Sequence, residues 1–169
     1  GISEPSGGSY VRKSIDNWDV ASSRATENTD EINFPEATGD WGTITHYFLS
    51  DALTGGNMLA YGEWTTSKIV NSGISFTVEA GEIDITFDSG GISDYLANKL
   101  LDHLFKNTAY TVPSNIYITL ATATIIDADT GSTITEVSGG SYARKLCNSW
   151  ETASGGDSSN SSEISFTTA

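Results

Sequence analysis

The sequence predicts a mainly β protein: an antiparallel, sandwich-like domain with one amphipathic helix at about residues 93–107. Three observations carry this. Charged residues make up only 18% of the 169-residue chain, while Ser, Thr, Asn and 17 glycines are plentiful; that balance suits strands and turns better than helices. Short stretches of alternating or β-branched residues recur between turn residues, as in antiparallel sandwiches. One segment alone carries apolar residues at helical spacing.

Taken in order, "GGSYVRKSI" opens with a Gly-Gly turn and continues as a strand, and "EINF" is a short strand. "WGTITHYFL", residues 41–49, is a strong strand, and a Gly-Gly turn at 55–56 leads to another from Met58 to Trp64. Strands follow at 74–78 and 82–87, joined through Ala80-Gly81. In "ISDYLANKLLDHLFKNTAY", Ser93 is a suitable N-cap and Asp94 favours the first turn. Leu96, Leu100, Leu101, Leu104 and Phe105 form its apolar stripe, and Asn107 and Pro113 close it. "NIYITLATATI" predicts a strand over 115–125, "DADTGSTITE" a turn, and "SYARKLC" and "EISF" two further strands.

The chain repeats itself. With Glu4 laid on Glu136, "EPSGGSYVRKSIDNWDVASSRATENTDEINFPEA" falls without gaps on "EVSGGSYARKLCNSWETASGGDSSNSSEISFTTA". Trp18 meets Trp150, Ala21 meets Ala153, Asn28 meets Asn160, Phe34 meets Phe166, and Ile2 meets Ile134, always 132 residues apart. That period is too long for a solenoid unit and is the length of a domain. The expected organisation is therefore one and a quarter copies. Residues 1–91 hold the C-terminal two-thirds of one, and 92–169 the helix and N-terminal part of the next.

Composition excludes several functions. Net charge is −14 and no basic stripe exists, so no nucleic-acid partner is expected. No apolar run reaches the roughly 18–20 residues of a membrane span, and "GISEPSGG" has neither part of a signal peptide. The single Cys147 permits no internal disulfide and is expected as a small buried hydrophobe. Two histidines, His46 and His103, and the absence of an elbow-like G-x-S-x-G context give no catalytic residues, so no enzyme is expected. No cofactor is expected either. Asp127 and Asp129 in "DADTG" resemble the start of a calcium loop, although Asp and Gly are also ordinary turn formers. Trp41, Tyr61 and Trp64 are candidate glycan contacts, with core packing the alternative. Tyr10, Arg12 and Lys13, and their repeats Tyr142, Arg144 and Lys145, are candidate assembly residues. Tyr and Arg share one strand face in each copy and are suited to cation–π or carboxylate pairing.

Four phrases together resemble a known family: "YLANKLLDHLFKNTAYTVPSNIYITLAT", "TEVSGGSYAR", "INFPEATGDWGTITHYFLSDALTGGNMLAYG" and "VNSGISFTVEAGEIDITF". They are similar to a small bacteriophage virion protein, of tail-fibre, minor structural or capsid-decoration type. The resemblance covers essentially the whole chain and implies a virion or extracellular location. The implied partners are the chain itself and other virion proteins, with host glycan as a candidate ligand. In the family the helix comes first; here the order is permuted, with residues 88–91 bridging old C-terminus to old N-terminus. The chain is then an excerpt of a tandem repeat, an engineered permutant, or a protomer whose spare segment 136–169 completes a neighbour by strand exchange.

Overall fold

The computed structural model describes residues 3–166; Ile2 and Ala169, the outer matches of the repeat, lie outside them. Among the described residues the strands pair as four two-stranded antiparallel sheets. The long one is a hairpin of β3 (Gly42–Ser50) and β4 (Met58–Val70). β-branched and aromatic residues fill both arms, as pleated half-buried surfaces favour. The turn between them is held by Asp51, whose carboxylate accepts from the Asn57 backbone N–H (2.7 Å) and side chain (2.9 Å). Ile44 pairs with Lys68 but His46 pairs with Glu63, so residues 64–67 bulge opposite Thr45. Bulges of this kind re-aim side chains, and here Trp64 stands in the core at 9% exposure. Gly62 stands opposite Tyr47, whose ring covers it so closely that a Cβ would meet that ring at 2.5 Å.

Two shorter pairs close beneath the hairpin. β1 (Ala25–Glu27) pairs with β6 (Asp84–Thr86), and β2 (Ile32–Asn33) with β5 (Thr77–Val78). The stretches 74–78 and 82–87 thus pair with earlier strands rather than with each other. Asn28 sits at the crossing, fully buried, and satisfies the backbone around it. Its amide donates to the carbonyls of Asp30 and Glu79 and accepts from the Ile83 N–H. Trp18, Ile32, Trp64, Val78 and Ile83 form the core, and Trp41 with Ala37 and Val70 a second centre beside it.

The helix α1 spans Asp94–Phe105, with the Ser93 hydroxyl accepting from the Leu96 N–H at 3.3 Å and Asn107 at positive φ just past its end. Ala97 and Leu101 are fully buried, whereas Leu104 is 56% exposed. The helix packs on the first copy. Asp102 and Asn98 accept from the backbone N–H groups of Ala21 and Arg24, each at 2.8 Å, and Phe105 lies 4.8 Å from Trp18. The last pair is β7 (Tyr117–Ile118) with β8 (Lys145–Leu146). The ladder expected over 115–125 is broken: it resumes only as an isolated bridge, Ala121 with Glu136. "SYVRKSI", expected as a strand, has no strand partner. "EISF", also expected as one, carries no strand over its residues 163–166.

Candidate assembly site

The repeated segment folds the same way twice. Tyr10 stacks on Phe34 at 6.1 Å and 10°, and Tyr142 on Phe166 at 6.0 Å and 9°. Arg12 pairs with Glu4 at 2.6 Å, and Arg144 with Glu136 at 2.7 Å. The bridges Trp18–Asn28 and Ser22–Ala25 recur as Trp150–Asn160 and Ser154–Asp157. The sequence therefore encodes this local geometry by itself, since the two copies have different surroundings.

The surroundings differ in complementary ways. In the first copy the segment is covered by the hairpin. Trp41 packs edge-on against Tyr10 at 5.4 Å and donates through Nε1 to the Gly8 carbonyl at 2.8 Å. The Arg12 guanidinium reaches the hairpin turn, donating to Ser50 Oγ and to the carbonyls of Ala52 and Gly55 at 2.8–2.9 Å, and lies 5.0 Å over Phe48. Burial raises the Tyr10 phenol above its ordinary pKa, Glu4 raises it further, and Arg12 partly offsets both. In the second copy nothing among the described residues plays the hairpin's part, and Trp150 is 47% exposed where Trp18 is 5%.

What the second copy has instead is a strand. Cys147 N–H donates to Ile116 O (2.8 Å), Val137 N–H to Leu120 O (2.9 Å), and Thr122 N–H to Thr135 O (2.9 Å). The Tyr142 hydroxyl accepts from Leu120 N–H and donates to Glu136. Hydrogen bonds from Arg144, then from Tyr142, hold the Glu136 carboxyl below the ordinary glutamate range. In the first copy the matching edge is bare. No backbone N–H or C=O of residues 11–15 enters a hydrogen bond among the described residues. Beside it runs a groove of about 1190 Å³ lined by Tyr10, Ile15, Trp18, Tyr61, Phe76 and Phe105.

The structure thus brings Tyr10 with Arg12, and Tyr142 with Arg144, into two equivalent clusters. Lys13 lies exposed on the bare edge, and Lys145 stands in β8. Trp41 and Trp64 are core residues and Tyr61 is 71% exposed, and all three line the groove beside the bare edge. Asp127 and Asp129 do not converge. Asp127 accepts from the Gly90 N–H and lies 3.4 Å from the Arg24 guanidinium, whereas Asp129 closes a local turn with Ile126 and Thr133. Among the described residues there is no group of three or more His, Cys, Asp or Glu that could hold a metal ion. His46 lies beside Thr45 on the hairpin, and His103 contacts the backbone of Thr108 and Tyr110. Cys147 is buried, as a small hydrophobe would be.

Sequence reasoning missed Glu4 and Glu136, which complete the clusters. The signal was available: a glutamate stands eight residues before the arginine in both copies. Arg24 was also missed. It is buried and donates to the carbonyls of Phe87, Asp88 and Ile92, and it pairs with Asp94 and Asp127, clasping the 87–92 connection to the helix start.

A family match sets the class of this β-rich chain: it is a structural protein of a bacteriophage fibre, and so a virion component. The matching family is described as podophage GP4 fiber I protein gp80, and the chain belongs to it, matching over residues 1–86 and 91–169. No curated protein and no solved structure matches. Among the described residues no helix is long and apolar enough to cross a membrane.

Proposed function

We propose that the chain is a non-enzymatic fibre module that acts by self-association and by docking onto other virion proteins, with extended segments exchanged between subunits. One observation carries this reading: a single chain holds two copies of a docking segment, 4–37 and 136–169, folded alike, and one hairpin that covers only the first. An uncovered segment with unpaired edges is a template for pairing with another chain. The two stretches matched by the fibre family meet within residues 87–90, which supports a domain boundary there. Burial of Trp41 and Trp64 supports a packing role for them over glycan contact.

Sedimentation of the full chain and of a chain ending at residue 137 tests the reading. The full chain is expected to show a mass that rises with concentration, and removal of 138–169 to change it. Monomers from both would overturn self-association.

A further inference from the structure

We infer that the groove along residues 3–15 is the acceptor seat for an extended strand, and that the strand it takes is residues 115–122 of a second copy of this chain. This rests on the self-association reading and gives it a register.

The repeat supplies the template. In the second copy, residues 135–148 bind 115–122, and the first copy's 3–16 presents the equivalent edge. Carrying the pairing back by 132 residues puts Tyr117 opposite Ser14, Ile118 opposite Lys13, and Ala121 opposite Glu4. The receiving groups are in place. The Ile15 N–H stands where Cys147 donates to Ile116 O. The Asp16 carboxylate stands where Asn148 Oδ1 accepts from Ile116 N–H at 2.8 Å. The Tyr10 hydroxyl, which makes no hydrogen bond among the described residues, stands where Tyr142 accepts from Leu120 N–H. Three bonds have no counterpart: Val137 is replaced by Pro5, which has no N–H to give, and Asn148, whose amide donates to Ser114 O and Asn115 Oδ1, is replaced by Asp16, whose carboxylate only accepts.

The donor gains by moving. Strand alternation puts Ile116, Ile118 and Leu120 on one face, and in their present seat they are 45%, 39% and 39% exposed. The groove along 3–15 has an aromatic lining. Residues 114–123, "SNIYITLATA", carry no charge to desolvate on entering it.

Single-cysteine chains decide the matter. Lys13→Cys and Ile118→Cys are each made with Cys147→Ser and mixed at micromolar concentration under mild oxidation. Opposed residues of an antiparallel pair lie about 5 Å apart at Cα, within disulfide reach. The expected product is a mixed dimer, formed roughly 10-fold more than from Lys13→Cys with Thr119→Cys, whose side chain points to the other face. Equal yields from both mixtures, or no mixed dimer, would overturn the inference. So would an intramolecular bridge in the Lys13→Cys/Ile118→Cys double variant with no dimer in the mixture, because the strand would then seat in its own chain. A chain that sediments as an oligomer but gives no mixed dimer would remove the groove and leave the self-association reading standing.

Discussion

Arg24 shows how one residue can carry a cost for what it holds. It has φ +68°, the left-handed region that disfavours a side chain. Ser23 beside it has φ +50°, and positive φ at both central positions is the two-residue hairpin turn that matches strand twist. In the second copy the same turn is Gly155-Gly156, with φ 62° and 82°. Glycine removes the strain there, while the first copy keeps an arginine whose five donors reach three carbonyls and two carboxylates. Arg24→Gly therefore separates the two effects. Relief of the backbone is worth about 1–2 kcal/mol, and breaking a buried ion pair costs about 3–5 kcal/mol. The net expectation is a loss of about 1–4 kcal/mol in urea unfolding. A variant as stable as the parent would show that the clasp adds nothing. This turn was legible only by setting the copies side by side: "SR" gives no turn signal, while "GG" does. Trp18 was legible as a packing residue because it recurs as Trp150, but the Asn28 amide, which joins two backbone groups 51 and 55 residues away to one nearby, leaves no periodic trace.

At the scale of elements, length decided what could be read. The helix and the hairpin are long enough for periodicity to rise above noise, and both lie within a residue or two of expectation except where β4 runs on to Val70. Strands of two or three residues have no period, and their partners are set by tertiary packing around Trp18 and Asn28. The β7–β8 pair is held as much by side chains as by its ladder, and this makes it acid-sensitive. The folded-state pKa of Glu136 is depressed by Arg144 and Tyr142. Its contribution is therefore complete above the ordinary glutamate value of about 4.3 and is lost as pH falls through the depressed value. Titration of the Glu136 side-chain carboxyl by NMR should give a midpoint below the ordinary value, and Arg144→Ala should move it upward. Amides of Leu120 and Cys147 should lose protection over the same acid range. A midpoint unchanged by Arg144→Ala would mean the pair does not hold in solution.

For the whole molecule, the repeat was the most legible feature and its consequence the least. Sequence identity showed that 4–37 and 136–169 are one segment written twice, but not which would receive the hairpin and which the strand. The structure divides them, and net charge makes the division testable. Two copies meeting carry −14 each and repel. The proposed contact is made by an uncharged strand through backbone pairing, in a groove whose own charges, Glu4, Arg12, Lys13 and Asp51, meet no opposite charge on it, so little attraction at the seat is lost to screening. Raising ionic strength shortens the Debye length from about 30 Å at 0.01 M to about 10 Å at 0.1 M, which weakens the repulsion and leaves the seat intact. Association is therefore expected to strengthen with salt, read as a rising weight-average mass at fixed protein concentration in sedimentation velocity. Were the copies joined through the Arg12-Lys13 and Arg144-Lys145 cations reaching acidic faces of a neighbour, the same salt would weaken them. A falling mass would thus replace the strand seat with a charge-paired interface at those four residues.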